Sequence, residues 1–249
     1  MHHKTPGKLA ERGRFGLLVL CLALGAALTA DGLPEAPGSE PAQVPSLETV
    51  LSQMDAAAAT FQSAQADFAW DQYQRVVDET DVQKGKLYFR RAGKEIQMAA
   101  DISEPDKKYM LFANGKLSVY QPRIDQVTEY DAGKDRETVQ TVLVLGFGGR
   151  GHDLAKSFTV KLAGVETVDG VRTVKLELVP KSAKARSLFD HVVLWVDPVR
   201  GVSLRQQAWE ASGDYRLAHY ANIRINEKIP DDVFQLKTTS KTKVLRPQG

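Results

Sequence analysis

The sequence contains little of what a disulfide-linked, metal-binding or nucleic-acid-binding protein requires. Its 249 residues include one cysteine, Cys21, which excludes a disulfide framework and a zinc site made of cysteines. Neither sign of charge dominates, because 33 Lys and Arg residues are interspersed with 31 Asp and Glu residues. A nucleic-acid-binding protein usually presents a clustered basic face, so we expect no nucleic acid as a partner.

Catalytic motifs are also missing from the sequence. Beyond residue 30 the histidines are His152, His191 and His219, and no two of them have the spacing of metal ligands. The G-x-S-x-G motif of a nucleophile elbow does not occur. The glycine-rich stretch GFGGRG at 146–151 lacks the lysine of a phosphate-binding loop, and we interpret it as a flexible hinge. The sequence therefore predicts a protein that is not an enzyme and needs no cofactor or metal.

The first thirty residues have the pattern of a signal peptide. Residues 1–14 are basic, and residues 15–30, FGLLVLCLALGAALTA, carry no charge and end in small residues. This apolar run is shorter than the roughly 20 residues that a helix needs to cross a bilayer. We predict a signal peptide over 1–30 that is cleaved after export across the inner membrane, which would leave the protein in the periplasm.

A linker and a single folded domain are predicted after the signal peptide. Residues 31–46, DGLPEAPGSEPAQVPS, have four prolines and no aromatic residue, which is typical of a flexible linker. The domain is predicted over 47–240, with a tail over 241–249. It begins with a helix, because Ser46 can cap the first turn and apolar residues recur every three or four positions from Leu47 to Phe61.

Strands dominate the predicted domain after this helix. Apolar and aromatic residues alternate in short segments between turn signals, of which Asn114-Gly115 is the strongest. The predicted strands span 66–77, 85–91, 95–102, 108–113, 116–120, 126–130, 158–165, 171–179, 191–197, 202–210 and 215–225. Many short strands with few helices predict a mainly β (α+β) domain built on one large antiparallel sheet, curved or partly closed.

One segment interrupts the predicted strands. Residues 137–148, ETVQTVLVLGFG, have approximately helical spacing but are apolar nearly all round. Such a segment is buried or covers an apolar cavity. Because no catalytic motif accompanies it, the segment indicates a carrier of a hydrophobic ligand.

Several motifs, in their order along the chain, resemble one protein family. They are Phe61-Gln62 with Ala66 and Phe68, GKLYFRR at 85–91, MLFANGKLSVY at 110–120 with the following QP and QV, the D-P-x-x-G turn at 197–201, and IPDDVF at 229–234. Over roughly residues 47–237 the sequence is similar to the periplasmic outer-membrane lipoprotein carrier proteins of the LolA type.

This resemblance implies a fold and a function. The fold would be an unclosed antiparallel half-barrel around a hydrophobic cavity, covered by a few helices that act as a lid. The protein would bind the acyl chains of lipoproteins or lipids and carry lipoproteins from the inner to the outer membrane. Its partners would be an ATP-driven release complex in the inner membrane and an acceptor in the outer membrane, and we expect the carrier to be a monomer.

Candidate site residues follow from the same resemblance. Alternation along 85–91 puts Leu87, Phe89 and Arg91 on one face of a strand, and the resemblance makes this face the concave one. The resemblance also implies that Arg91 hydrogen-bonds the backbone of the lid and helps to set its opening. The other candidates are Met98 and Phe112 in the wall and Val139, Val142, Leu143, Leu145 and Phe147 in the lid, with Phe68, Trp70, Met110, Val193 and Trp195 as further wall residues.

Two alternative functions stay open from the sequence. The same fold could serve as a sensor or regulatory module that binds lipid or a signalling membrane protein. Alternatively, a lipidated Cys21 would make the protein a lipoprotein acceptor anchored in the outer membrane. The mass of the mature N-terminus would identify this last case directly.

Overall fold

The structure, a computed structural model, describes residues 44–93, 95–131, 145–187 and 189–247. The predicted signal peptide and residues 31–43 of the predicted linker lie outside the described residues. Most of the predicted lid segment lies outside them too, including the candidates Val139, Val142 and Leu143.

The first described element is the predicted N-terminal helix, α1, which spans Leu47–Thr60. Ser46 caps this helix, because its Oγ accepts a hydrogen bond from the backbone N–H of Thr49 at 3.1 Å. Val50 and Met54 belong to its buried apolar stripe. The helix therefore packs with one face against the rest of the domain.

The first half of the sheet is a meander in which each strand pairs antiparallel with the next. The predicted Asn114-Gly115 turn joins its fourth and fifth strands, and the φ angles of these two residues are 55° and 73°. Positive φ at both positions is what a tight two-residue hairpin requires. The strands of this half are β1 (Ser63–Gln74), β2 (Glu79–Ala92), β3 (Glu95–Glu104), β4 (Lys108–Ala113), β5 (Lys116–Gln121) and β6 (Gln126–Asp131).

The second half of the sheet is another antiparallel meander. Its strands are β7 (Phe158–Val168), β8 (Val171–Pro180), β9 (His191–Asp197), β10 (Val202–Trp209) and β11 (Tyr215–Ile225). Short helices flank the strands: α2 (Gly151–Ser157) before β7, α3 (Ala183–Arg186) before β9, and 3-10 helices at Pro122–Ile124 and Asp231–Phe234.

A short strand near the C-terminus extends the first half. This strand, β12 (Lys243–Leu245), pairs parallel with β6. The sequence predicts a tail over 241–249, whereas the structure places β12 within that range. Three residues are too few for an alternating pattern to identify a strand.

Strands β1 and β11 join the two halves into one sheet. They pair antiparallel, with Phe68 opposite Tyr220, and the resulting 12-stranded sheet has the order β12-β6-β5-β4-β3-β2-β1-β11-β10-β9-β8-β7. Among the described residues the edge strands β12 and β7 do not pair with each other, so the sheet is open. The predicted mainly β fold with an unclosed, largely antiparallel sheet is confirmed.

The helices cover only part of the sheet. We call the face that carries α1 and α2 the inner face. Val50 and Met54 of α1 and Leu154 of α2 pack in one apolar cluster with Leu176 of β8 and Leu194 of β9. A second apolar cluster lies mainly on β1–β4. The described helices thus cover the second half, and the inner face of the first half is left to form a cavity.

Candidate functional site

An apolar cavity of about 420 Å³ lies on the inner face of the sheet and is partly open to solvent. This volume is within the roughly 300–1,000 Å³ that is typical of small-molecule sites. Its walls come from β1–β5, from β10 and β11, and from Leu145 and Phe189. The cavity therefore spans the seam where the two halves of the sheet meet.

Four of the predicted site residues line this cavity, namely Leu87, Phe89, Met98 and Leu145. Phe89 on β2 lies directly opposite Met98 on β3, and Met98 lies opposite Phe112 on β4. Phe112 does not line the cavity but is buried in the same apolar cluster. The structure therefore places Leu87, Phe89, Met98 and Phe112 together on one face of the neighbouring strands β2, β3 and β4.

Phe147 lies at the seam, inside the apolar core. Its ring stacks on Phe89 with the centroids 4.6 Å apart and meets Tyr220 edge-on at 4.9 Å. Its backbone forms an antiparallel bridge with Val202 of β10, before the part of β10 that pairs with β11. Phe147 thus packs on the inner face between β2 of the first half and β11 of the second half.

The backbone around Phe147 is not helical. The sequence predicts an apolar segment of approximately helical spacing that ends in a glycine-rich hinge at 146–151, and the described residues 145–150 form turns and the bridge at Phe147. Gly146 and Gly148 have φ angles of 81° and 69°, and this left-handed conformation ends an α-helix. Gly148 is also close to Phe61, whose ring would meet a Cβ atom at that position.

Arg91 holds the C-terminal end of α1. Its Nε donates to the carbonyl of Phe61 at 3.0 Å and its Nη2 to the carbonyl of Ala58 at 3.3 Å. The last turn of α1 contains no basic residue of its own, so Arg91 supplies the cation that complements the helix dipole. Asn226 assists, since its side chain donates to the carbonyl of Thr60 at 3.0 Å.

This arrangement differs in part from the predicted role of Arg91. Arg91 lies near one end of β2, beyond Leu87 and Phe89, and it is not among the residues that line the cavity. The resemblance implied hydrogen bonds to the backbone of the lid, whereas the described side-chain hydrogen bonds of Arg91 are to the backbone of α1 and of its C-cap, Phe61. Residues 137–144 of the predicted lid segment lie outside the described residues.

Polar side chains mark part of the cavity wall. Lys108 of β4 and Arg216 of β11 are its charged residues, and Gln72, Gln83 and Gln206 contribute amide groups. Among the described residues, no carboxylate lines the cavity. The sequence alone did not indicate this set, because its members are far apart in the chain and each belongs to an ordinary alternating strand.

The contribution of β11 to the cavity wall was not predicted. Leu217, Ala218 and Tyr220 line the cavity, together with Phe189 from the loop before β9. Tyr220 is buried, which raises the pKa of its phenol, and its hydroxyl donates to Gln206 Oε1 at 3.3 Å. The alternation in β11 predicted a strand, but only the pairing with β1 identifies which of its faces is the inner one.

The further wall candidates lie on both faces of the sheet. Trp70 and Met110 line the cavity, and Phe68 is buried in the same cluster. Val193 and Trp195 instead belong to a cluster separate from the cavity wall, and the indole Nε1 of Trp195 donates to Glu166 at 2.7 Å. Their assignment to the wall was wrong, because the inner face of β9 carries Val192, Leu194 and Val196.

A cluster of charged side chains connects α1 to α2. His152 Nδ1 lies 2.7 Å from Asp55 Oδ2, and His152 Nε2 lies 3.2 Å from Glu48 Oε1. The hydrogen bond with Asp55 raises the pKa of His152, with the negative charges of Asp55 and Glu48 adding to the effect. Arg150 lies 3.6 Å from the Asp55 carboxylate, so both carboxylates of α1 face positive or ionisable groups.

The part of the chain that the structure describes has no group of three or more His, Cys, Asp or Glu side chains placed to hold a metal ion. None of its helices has the length and apolar character needed to cross a bilayer.

Comparison with solved structures finds several proteins that are similar to this chain. An uncharacterized conserved protein from Thermus thermophilus superposes with a TM-score of 0.52 at 10% identity, covering 82% of this chain and 100% of that one. A chain of the Pseudomonas aeruginosa MucA/MucB complex has a TM-score of 0.47 at 14% identity, covering 76% of this chain and 60% of that one. A putative outer membrane lipoprotein-sorting protein domain from Vibrio parahaemolyticus has a TM-score of 0.44 at 12% identity, covering 76% of this chain and 95% of that one.

Comparison at the level of sequence identifies the family. No individual curated protein matches the chain. The family model described as outer membrane lipoprotein carrier protein LolA matches residues 59–237, which is more than half of the sequence and includes every strand that forms the cavity. The chain therefore belongs to the LolA family of outer membrane lipoprotein carrier proteins.

Proposed function

We propose that the protein is a periplasmic carrier that binds the acyl chains of lipoproteins or lipids in the cavity and shuttles lipoproteins from the inner to the outer membrane. The observation that carries this proposal is the partly open cavity of about 420 Å³ on the inner face of the sheet. Membership of the LolA family supports lipid or lipoprotein binding.

The energetics of an acyl chain suit such a cavity. Each CH₂ group gains about 0.8 kcal/mol when it leaves water for apolar surroundings. By the same value, a chain of about 15 CH₂ groups costs on the order of 12 kcal/mol to expose. Side chains such as Leu87, Phe89 and Met98 would offset much of this cost. Met98 and Met110 are flexible and polarizable, so they can adapt to chains of different shape.

Release of the cargo requires the cavity to open. We assign the movable part to the described residues 145–148, because Leu145 borders the cavity and Phe147 packs against Phe89 and Tyr220. Gly146 and Gly148 flank Phe147 and adopt backbone conformations that favour glycine. Withdrawal of Phe147 from Phe89 and Tyr220 would open the space that its ring fills and free a path for the acyl chain.

The proposed transfer between membranes depends on partners. In this proposal residues 1–30 direct export and are removed, and the carrier works as a monomer without cofactor or metal. An ATP-driven complex in the inner membrane would load it, and an acceptor in the outer membrane would unload it. Since the carrier itself supplies no energy, the acceptor must bind the cargo more tightly than the carrier does.

Native mass spectrometry of the exported protein, purified from its own periplasm, tests the proposal. We expect a bound acylated protein or lipid, which would also identify the cargo. The matched variants are Ala218→Phe, which places a ring in the cavity, and Ala221→Phe, which changes an exposed residue of the same strand. The first is expected to lose the ligand and the second to keep it.

Two results would contradict the proposal. One is a correctly processed protein that carries no ligand and binds no acylated probe. The other is equal ligand binding by the Ala218→Phe and Ala221→Phe variants, which would place the ligand outside the cavity. An empty protein that captures a signalling membrane protein would favour the sensor function instead.

A further inference from the structure

The charged groups of the cavity wall have one sign. Lys108 and Arg216 line it, and among the described residues no Asp or Glu does. The remaining polar side-chain groups of the wall are the amides of Gln72, Gln83 and Gln206, the hydroxyl of Tyr220 and the indole N–H of Trp70. Amide and hydroxyl groups can both donate hydrogen bonds. The wall therefore offers two positive charges and several donors to whatever group lies beside them.

Lys108 is the more unusual of the two cations. It is half-buried on the inner face, opposite Ile102 and next to Met110 in the cavity wall. It forms no ion pair with any residue that the structure describes. Its neighbour Lys107, on the outer face, pairs with Asp101 and lies 4.8 Å from the centre of the Tyr109 ring. The sheet thus supplies a carboxylate for the exposed lysine and none for the lysine in the cavity.

Arg216 lies on the opposite wall, on β11. One of its guanidinium nitrogens is 3.2 Å from the Glu210 carboxylate, and Glu210 does not line the cavity. A guanidinium group has five N–H donors in a fixed fork, so a single carboxylate contact leaves donors for a second anion. The Arg216 side chain is 62% exposed, so the half-buried Lys108 is the stronger candidate for binding an anionic group at the cavity wall.

We propose that the cavity prefers an amphiphile whose acyl chain is attached to an anionic carboxylate or phosphate group over one with an uncharged head. This inference rests on the proposed function and narrows its ligand class. The acyl chain lies against Leu87, Phe89 and Met98, and the anion lies beside Lys108. An uncharged head leaves Lys108 without a counter-charge in a half-buried position, where a charge-assisted hydrogen bond is stronger than a neutral one.

Titration calorimetry with three probes of equal chain length tests this preference. The probes are decanoate, decyl phosphate and 1-decanol, and the protein is the delipidated exported form at pH 8. We expect the two anions to bind about tenfold more tightly than the alcohol, which corresponds to about 1.4 kcal/mol. In Lys108→Gln combined with Arg216→Gln, the ratio of the affinities is expected to fall to within about twofold, because one charge-assisted hydrogen bond contributes a difference of this size.

Further variants separate charge from structure. Lys108→Arg keeps the charge and is expected to retain most of the preference. Lys161→Gln removes a lysine from β7, at the far edge of the sheet, where it lies 3.6 Å from Glu177. It serves as the control and is expected to leave the ratio unchanged. The urea midpoint of each variant shows that a changed ratio does not come from loss of folding.

The possible results have distinct meanings. Equal binding of decanoate and 1-decanol to the wild type would overturn this inference but leave the proposed function intact. A preference that survives the double substitution would overturn it too. Competition by inorganic phosphate as strong as that by decyl phosphate would indicate a small-anion site and contradict it. Failure of decanoate, decyl phosphate and 1-decanol all to bind would instead contradict the proposed function.

Discussion

Phe147→Ala tests whether the end of the predicted lid segment is part of the core. The Phe147 side chain is 1% exposed and contacts the rings of Phe89 and Tyr220. Replacing a buried phenylalanine by alanine costs about 3–5 kcal/mol, because burial is lost and a cavity is left. With an m value of about 2–3 kcal/mol per molar, the urea midpoint should fall by about 1–2.5 M.

A conservative substitution separates the ring contacts from simple burial. Phe147→Leu keeps an apolar side chain but removes both aromatic pairs, each of which contributes about 0.5–1.5 kcal/mol beyond its buried area. We therefore expect a loss of about 1–3 kcal/mol for this variant. Tyr130→Ala, at a ring that is 49% exposed, is the control and should cost about 1 kcal/mol. A fall in midpoint for Phe147→Ala no larger than that of the control would refute the placement of this ring in the core.

Three other substitutions test separate contacts. Arg91→Met keeps the apolar stem but removes both bonds to the end of α1, so it should cost about 1–3 kcal/mol and speed amide exchange in the last turn of the helix; unchanged exchange there would contradict the contact. The hydrogen bond with Asp55 raises the pKa of His152 above its ordinary value of 6.5, so the stabilisation is complete below pH 6.5 and lost as pH rises through the folded-state pKa. His152→Gln should therefore lower the urea midpoint more at pH 6 than at pH 9, and an equal effect at both values would disprove the linkage. Gly148→Ala should lower the midpoint more than Gly93→Ala, because both have positive φ but only Gly148 has an aromatic ring within reach of a new Cβ; the strain alone costs about 1–2 kcal/mol.

Much of the fold was predictable because local signals agree with the final pairing. The Asn114-Gly115 turn fixes the β4–β5 hairpin, and both residues adopt the positive φ angles that such a turn needs. Ser46 caps α1 as expected, since the capping bond depends only on residues three positions apart. Elements that are defined by neighbouring residues could therefore be located from the sequence.

The candidate site was less predictable because it depends on distant residues. Strand β9 is apolar on both faces, so alternation could not show that Leu194 rather than Trp195 faces inward. The partner of Arg91 is the end of α1, which only the tertiary structure brings near β2. The presence of Lys108 and Arg216 in one cavity wall likewise depends on strands β4 and β11, which no local pattern places around the same cavity.

The pairing of β1 with β11 has a consequence for synthesis of the chain. Strand β11, which pairs with β1, is among the last strands to be synthesised. Until β11 is made, β1 has an unpaired edge and the inner face of the first half stays uncovered. Non-local pairing of this kind is slow to form, and unpaired edges with exposed apolar surface promote aggregation. A nascent chain that stops short of Tyr215 would expose the apolar wall meant for the ligand. We expect such truncated chains to bind general chaperones, and the completed sheet to release them.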